Sequence, residues 1–313
     1  MGQAHCDDIM LSVIVPTYNH EKYIVKALDS IKMQKTQYRF EVLVGEDAST
    51  DGTRKVLEEY EQLNPGFLTV FYREKNLRLD INSPGNGQDL RHKAKGKYLI
   101  TLEGDDFWTD EYKIETQVSF LEKHSDVIAV AHNCVVVDEN SVPNGENYPE
   151  CKNFEYTMAD YFNNIFPGQL ATVMTRNFVK YDLCDYSILE KRLSPGDSLM
   201  YYMLLCSGRV CCLQKSMSAY RHVVSSGSSY SANIKYDYNK ELHWYKEFMN
   251  YAKNLGNAQG YRYTELNYVR ALKEAFIRRK ISFVELIKCM ADVEHKWGTL
   301  LLYFRRLFHV KHS

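Results

Sequence analysis

The sequence lacks any C-x-x-C pair, and its eight cysteines show no ladder of close spacings. Such spacings would indicate a zinc site or a disulfide framework, so both are disfavoured. A chain of 313 residues can also bury a full core without covalent staples. We therefore expect reduced, mostly buried thiols in a cytosolic compartment.

Long apolar runs and an excess of one charge are also missing. No window approaches eighteen apolar residues, and residues 3–8 are polar where a signal peptide would have its apolar core. The formal net charge is −1, so no overall field favours nucleic acid as a partner. We expect a cytoplasmic protein that neither spans a membrane nor leaves the cell through a signal peptide.

Strand-like and helix-like segments alternate over the first two thirds of the chain. This alternation predicts an α/β fold with a mostly parallel central sheet flanked by helices. From about residue 235 the pattern indicates helices only. We place a boundary near residue 233, between a catalytic domain (1–233) and a helical C-terminal region (234–313). The predicted strands are 11–16, 40–44, 68–72, 98–102, 127–137, 171–175 and a strand pair at 210–213 and 217–221.

Three carboxylates, Glu103, Asp105 and Asp106, follow the apolar run that begins at Tyr98, with Gly104 between them. Open α/β sheets bind ligands at the carboxyl ends of their strands. Three carboxylates within four residues repel one another unless a cation shares the site, and Mg²⁺ or Mn²⁺ prefers oxygen ligands. The motif predicts a divalent metal site; the alternative is a solvated acidic turn.

Four motifs follow one another along the α/β region: Val15-Pro-Thr-Tyr-Asn19, Glu46-Asp-Ala-Ser-Thr-Asp-Gly-Thr53, Glu103-Gly-Asp-Asp-Phe-Trp108 and Pro195-Gly-Asp-Ser-Leu199. In this order they resemble the family 2 nucleotide-sugar glycosyltransferases of GT-A fold, over about residues 10–231. The third motif resembles the branch active in bacterial surface polysaccharide assembly, including capsule. The resemblance implies inverting, metal-dependent transfer of a hexose or N-acetylhexosamine from a UDP-sugar to a saccharide or lipid-linked saccharide.

For the nucleotide, the resemblance implies a site built from two loops. Pro16, Thr17 and Asn19 would belong to the first loop, where Tyr18 packs on the base. In the second loop Asp47 would accept a hydrogen bond from the uracil imide. The residue before it is a glutamate where the family usually has an aspartate.

For the diphosphate and metal, the resemblance assigns the acidic motif and the end of a later strand. Glu103 would contact the ribose or a metal-bound water, with Gly104 beside it in the nucleotide-sugar site. Asp105 would be the principal metal ligand, and Asp106 would support the ion or the sugar. Arg221 would approach the diphosphate, and His222 would approach the metal unless it is structural.

The resemblance makes Asp197 the general base. Inverting transfer needs a carboxylate that removes the proton of the acceptor hydroxyl as it attacks from the face opposite the diphosphate. The Pro-Gly turn before Asp197 predicts a fixed position at a helix start, where the helix dipole should lower its pKa. The alternative is that Asp197 only caps the helix.

Other assignments stay open. A nucleotidyltransferase would ordinarily carry a glycine-rich, basic loop after the first strand, and residues 16–20 have neither feature. A non-catalytic sugar-nucleotide-binding or scaffold protein is the second alternative. Arg91 and His92 either face phosphate or are solvated. The segment 297–311 combines bulky apolar residues with paired arginines, which suits peripheral contact at the inner face of the plasma membrane, packing on the catalytic domain, or a homo-oligomer contact.

Overall fold

The computed structural model describes residues 9–78, 80, 83–191, 196–223 and 237–294. The segment 297–311 and the boundary near residue 233 lie outside these ranges. In the part of the chain that is described, no helix is long and apolar enough to cross a membrane. The seven cysteines of that part are all free thiols.

The first half of the sheet is built from alternating strands and helices. Its central strands are buried on both faces, which explains their unbroken apolar runs. The elements are β1 (Leu11–Thr17), α1 (Ile24–Lys32), β2 (Phe40–Glu46), α2 (Thr53–Leu63), β3 (Thr69–Tyr72), α3 (Asn86–Lys93) and β4 (Tyr98–Thr101).

The second half adds strands of both directions. Its elements are β5 (Phe107–Trp108), α4 (Lys113–Lys123), β6 (Val127–Val137), β7 (Glu155–Tyr156), α5 (Met158–Phe162), a 3₁₀ helix (Leu170–Thr172), β8 (Met174–Arg176), α6 (Ser187–Glu190), α7 (Gly196–Ser207) and β9 (Arg209–Arg221).

The nine strands of the described residues join in one sheet of order β3-β2-β1-β4-β8-β6-β9-β5, with β7 paired to β9. The strands β3, β2, β1 and β4 are mutually parallel. β8 runs antiparallel to β4 and β6, while β6 and β9 are parallel. The predicted α/β class, with helices flanking a central sheet, is confirmed.

The predicted strand pair near residue 215 is wrong, because β9 is one continuous strand of 13 residues. Gln214 and Lys215 form a bulge: Leu213 pairs with His132 of β6, and the next pairing joins Ser216 to Asn133. The bulge exposes polar side chains in mid-strand, which gives the sequence the composition of a turn. The polypeptide therefore runs without a turn from Arg209 to Arg221.

Three helices follow, α8 (Tyr238–Asn254), α9 (Ala258–Ile277) and α10 (Phe283–Ala291). α8 packs along α9, α5 contacts α9, and α6 contacts α8. Phe248 of α8 and Tyr268 of α9 belong to the same buried cluster as Tyr202 of α7 and Cys212 of β9. The helices thus share one apolar core with a face of the sheet.

Candidate active site

A cluster of carboxylates follows the end of β4. The ligand oxygens of Glu103, Asp105 and Asp106 all lie within 4.8 Å of one another. Asp106 is 1% exposed, whereas Glu103 and Asp105 are partly buried. The local sequence explains the arrangement. β4 ends at Thr101, the amides of Leu102 and Gly104 still donate to carbonyls of β1, and the chain turns at Gly104 and Asp105.

The electrostatics of this cluster favour a bound cation. Burial, followed by the charges of Asp105 and Asp197, raises the pKa of Glu103 to about 8. Burial also raises the pKa of Asp106 well above its ordinary value. Buried carboxylates this close together repel one another when they are ionised. A hard divalent ion such as Mg²⁺ or Mn²⁺, which prefers oxygen ligands, would offset that repulsion. The oxygen atoms of these three carboxylates therefore suit the chemistry of that ion.

Asp106 is held by hydrogen bonds from two distant elements. Its Oδ1 accepts from the backbone amide of Arg221 at 2.7 Å, and its Oδ2 accepts from Nε2 of Gln169 at 2.7 Å. Gln169 is 5% exposed and stands before the 3₁₀ helix. No periodic pattern in the sequence indicates this pairing, because Gln169 is 63 residues away from Asp106.

The side chain of Arg221 is 3% exposed and bonds to backbone carbonyls. Its guanidinium donates to the carbonyls of Asp105 at 2.8 Å, Asp138 at 2.7 Å and Glu139 at 3.0 Å. It also stacks over the ring of Tyr23, 4.2 Å from the centroid. Arg221 thus fixes the backbone around the cluster, and its predicted approach to a diphosphate stays a prediction.

The other basic residue predicted at this end of β9, His222, has an acidic partner. Its Nδ1 lies 2.6 Å from Oε2 of Glu146, and its ring stacks on Tyr220 with centroids 6.1 Å apart. The carboxylate cluster found among the described residues does not include it. Metal ligation by His222 stays a prediction.

His20 is a site residue that sequence reasoning missed. Its Nε2 lies 3.8 Å from Oδ2 of Asp105, and its Nδ1 lies 3.1 Å from Oγ1 of Thr17. Gly104 makes this packing possible, since a Cβ there would lie 2.6 Å from Thr17 Oγ1 and 2.7 Å from His20 Nδ1. The only signal in the sequence was the position of His20 directly after the first motif.

The two predicted nucleotide loops lie against each other. The amide of Asn19 donates to Oγ of Ser49 at 3.0 Å, and the amide of Thr50 donates to Oδ1 of Asn19 at 2.8 Å. Asn19 has φ of 58°, a left-handed conformation that asparagine tolerates better than most residues. Tyr18 beside it is 39% exposed, so its ring is accessible at the rim of the site.

Asp47 lies at the carboxyl end of β2, level with the end of β1. Pro16 of β1 pairs with Gly45, and the amide of Asp47 donates to the carbonyl of Thr17 at 3.0 Å. Oδ1 of Asp47 accepts from the amide of Leu77 at 2.8 Å. Burial raises the pKa of this carboxyl, which is 4% exposed. The structure therefore brings Pro16, Thr17 and Asp47 to one strand edge.

Glu46, where the family usually has an aspartate, is hydrogen-bonded to other residues of the protein. It is completely buried and accepts from the amide of Ser49 at 2.6 Å and from Nε of Arg54 at 2.7 Å. The longer side chain reaches Arg54 on α2 and orders the second loop from beneath. This contact explains the departure from the usual pair of aspartates.

Asp197 is the second residue of α7 and is partly buried. Its Oδ1 accepts from the amide of Ser198 at 3.2 Å. Burial raises its pKa, so the expectation that the helix dipole would lower the pKa is wrong: loss of hydration outweighs the helix terminus. Its charge also contributes to the raised pKa of Glu103, after burial and Asp105. Asp197 is therefore close to the carboxylate cluster.

Arg91 of α3 also points toward this cluster. Its guanidinium donates to Oγ1 of Thr101 at 3.2 Å and to Oε1 of Gln88 at 2.8 Å. Burial lowers its pKa to about 10, and the charge of Glu103 opposes that shift. Surface solvation is thus wrong for Arg91, whereas His92 is exposed.

Comparison with known proteins matches residues 12–181 to the family described as Glycosyl transferase family 2. An uncharacterized protein of Mycobacterium tuberculosis is 28% identical over 217 residues, or 67% of this chain and 58% of the relative. The poly(ribitol-phosphate) beta-N-acetylglucosaminyltransferase TarS of Staphylococcus aureus is 36% identical over 124 residues, or 38% of this chain and 20% of TarS. The chain spans 58% of the first relative's length and 20% of the second's.

Solved structures show a similar fold. TarS 1–349 from S. aureus in complex with UDP-GlcNAc aligns with a TM-score of 0.61 at 20% identity, covering 91% of this chain and 80% of that one. The mannosyltransferase PcManGT from Pyrobaculum calidifontis, in complex with GDP-Man and Mn²⁺, aligns with a TM-score of 0.51 at 17% identity, covering 98% and 81%. At these identities the likeness concerns the fold alone.

Proposed function

The chain belongs to glycosyl transferase family 2, and from that premise we propose that it moves a hexose or N-acetylhexosamine from a UDP-sugar to a saccharide acceptor. The acceptor is a free or lipid-linked saccharide in surface polysaccharide assembly. The observation that carries the proposal is the carboxylate cluster after β4 with Asp197 beside it. The names of the TarS enzyme and its UDP-GlcNAc complex support the choice of donor.

The donor nucleotide would lie at the edge formed by the ends of β1 and β2. Asp47 would accept from the uracil imide, with its carboxylate oriented by the backbone amides of Leu77 and Arg78. Tyr18 offers an exposed ring for the base, and Pro16, Thr17 and Asn19 form the adjoining wall. A carboxylate acceptor at Asp47 would disfavour bases that present a carbonyl there.

The diphosphate would lie at the carboxylate cluster. Glu103 and Asp105 would hold Mg²⁺ or Mn²⁺, while Asp106 keeps its bonds to Gln169 and the Arg221 amide and orients the turn. When bound, the ion supplies positive charge that stabilises the departing diphosphate. In this proposal Arg221 positions the backbone rather than contacting the phosphate.

Asp197 would act as the general base for the acceptor. Its carboxylate would take the proton of the acceptor hydroxyl as that oxygen forms its bond to the anomeric carbon, while the bond to the diphosphate breaks on the opposite face. The configuration at the anomeric carbon would be inverted. Its raised pKa suits this role, because a weaker acid has a stronger conjugate base.

Calorimetric binding of UDP, GDP, dTDP and CDP, each with and without Mn²⁺, tests the donor site. We expect UDP to bind only with Mn²⁺ and Asp105→Ala to lose that binding. Asp126→Asn is the matched control, because Asp126 is a surface aspartate paired with Arg209. Metal-independent binding, or equal binding of all four nucleotides, would contradict the assigned donor site. The alternative, a scaffold protein, would bind the acceptor without transferring sugar.

A further inference from the structure

A cavity of about 400 Å³ lies between the C-terminal helices α8 and α9 and the helices α5 and α7 of the catalytic region. Its volume falls in the range of about 300–1,000 Å³ that is typical of ligand pockets. None of the predicted site residues lines this cavity. Five aromatic side chains line it: Tyr161, Phe162, Phe166, Trp244 and Tyr245.

Two residues of the cavity wall carry buried polar atoms without a partner. Within the described residues, neither Oε2 of Glu241 nor Nε1 of Trp244 has a hydrogen bond. Burial raises the pKa of Glu241, in keeping with a carboxyl that no cation or amide compensates. Native proteins rarely leave such atoms unpaired, so an acceptor and a donor among the lining residues of one cavity indicate a polar ligand.

The combination of rings and polar atoms selects a class of ligand. A pyranose has a face of C–H groups that packs on aromatic rings and a rim of hydroxyls that both donate and accept hydrogen bonds. Glu241 could accept from one hydroxyl while Trp244 donates to another. A purely apolar ligand would leave both atoms unpaired. The wall carries charges of both signs, from Glu241, Glu274 and Arg270, which suits a neutral polar ligand.

The cavity is adjacent to the candidate base. Ser198 lines it and directly follows Asp197 in α7. Tyr161, also in the wall, donates from its hydroxyl to the carbonyl of Ser198 at 3.2 Å. The pKa of Tyr161 is raised mainly by burial, with a smaller contribution from the charge of Asp197.

We propose that this cavity is a saccharide subsite for the acceptor, in which Trp244 packs on a pyranose ring and Glu241 binds its hydroxyls. The ring bound there would belong to a sugar unit next to the one whose hydroxyl reaches Asp197. The inference rests on the proposed glycosyl transfer and adds that the C-terminal helices contribute to acceptor binding.

Saturation-transfer NMR with a panel of methyl pyranosides, including the methyl glycosides of glucose, galactose and N-acetylglucosamine, tests the subsite on the full chain. Wild type is compared with Trp244→Ala, Trp244→Phe and Glu241→Gln. His243→Ala is the matched control, because His243 is exposed on the same helix and lies outside the cavity wall. UDP affinity with Mn²⁺, measured on each variant, reports separately on folding and on the donor site.

We expect at least one pyranoside to bind wild type and the His243→Ala control alike. Its affinity should fall tenfold or more in Trp244→Ala and in Glu241→Gln, fall less in Trp244→Phe, and leave UDP affinity unchanged. Pyranoside binding that ignores both positions, or no pyranoside binding while UDP binds, would overturn the subsite. If wild type does not bind UDP, the donor site is overturned, independently of the pyranoside results.

Discussion

The backbone amide of Arg221 donates a 2.7 Å hydrogen bond to Oδ1 of Asp106, a residue 115 positions earlier in the chain. The other oxygen of that carboxylate is bonded to Gln169. Both oxygens of the most buried acid in the cluster are therefore oriented by the protein itself. Such orientation before any ligand binds is what electrostatic stabilisation of a transition state requires.

The Arg221 side chain allows positioning and phosphate contact to be distinguished. Arg221→Lys keeps a positive charge but loses the planar fork of a buried guanidinium that bonds three carbonyls, so these carbonyls lose their donors. We expect the free energy of unfolding, measured with urea, to fall by about 2–3 kcal/mol. Arg209→Lys, at a surface pair, should leave it unchanged. Normal stability with lost UDP affinity would show instead that Arg221 contacts the diphosphate.

Gly104→Ala should separate the first loop from the carboxylate cluster. The added Cβ would lie 2.6 Å from Thr17 Oγ1, so one of the two segments must move. We expect metal-dependent UDP affinity to fall tenfold or more, measured by calorimetry. Gly87→Ala is the control, because its Cβ would meet only Arg91 at 3.8 Å, an ordinary contact. Equal affinities for the two variants would contradict the role of this close packing.

Asp197→Asn should abolish proton removal while leaving the donor site intact. We expect kcat to fall by about 10²- to 10⁴-fold with UDP affinity retained. Because burial raises the Asp197 pKa, the base becomes protonated at a higher pH than an ordinary aspartate, and wild-type kcat/KM should fall as pH drops through that raised value. Glu190→Gln, on the exposed face of α6, serves as control. An unchanged rate in Asp197→Asn would remove Asp197 from the mechanism.

His132 should make the fold sensitive to acid. It is fully buried in β6, its ring Nδ1 lies 2.8 Å from the carbonyl of Asn133, and burial lowers its pKa well below 6.5. Below pH 6.5 His132 is therefore protonated in the unfolded chain but stays neutral in the folded chain. The free energy of unfolding falls as the pH drops. Relative to His132→Phe, wild type should lose up to about 1.4 kcal/mol per pH unit below 6.5, measured by urea denaturation. Parallel pH profiles for the two proteins would contradict this.

The sequence predicted what is local in the chain. The sequence predicted β4 and the cluster of Glu103, Asp105 and Asp106 that follows it. The apolar run and the three acids are adjacent in the chain, so their proximity needs no tertiary contact. The neighbouring ends of β1 and β2 followed from the parallel alternation. The assignment of Thr17 and Asp47 to one nucleotide site came from the family resemblance, and the hydrogen bond from the Asp47 amide to the Thr17 carbonyl shows that the two segments meet.

What the sequence could not predict depends on contacts between distant segments. Gln169 bonds to Asp106 and His20 approaches Asp105 through tertiary packing, which has no period in the sequence. The predicted direction of the Asp197 pKa shift was wrong for the same reason. The helix start can be predicted from the local sequence, whereas burial depends on the elements that surround Asp197 in the fold. The cavity wall around Trp244 combines α5 and α7, from the middle of the chain, with the later helices α8 and α9.

The continuity of β9 has a consequence for building chimeric enzymes. The segment from Asp197 through Arg221 carries the candidate base at one end and the amide that holds Asp106 at the other, with a two-residue bulge between. Removing one bulge residue would shift the register and turn alternate side chains to the opposite face of the sheet. Recombination crossovers that exchange acceptor preference between relatives should therefore fall outside residues 197–221, so that both ends are inherited from one parent.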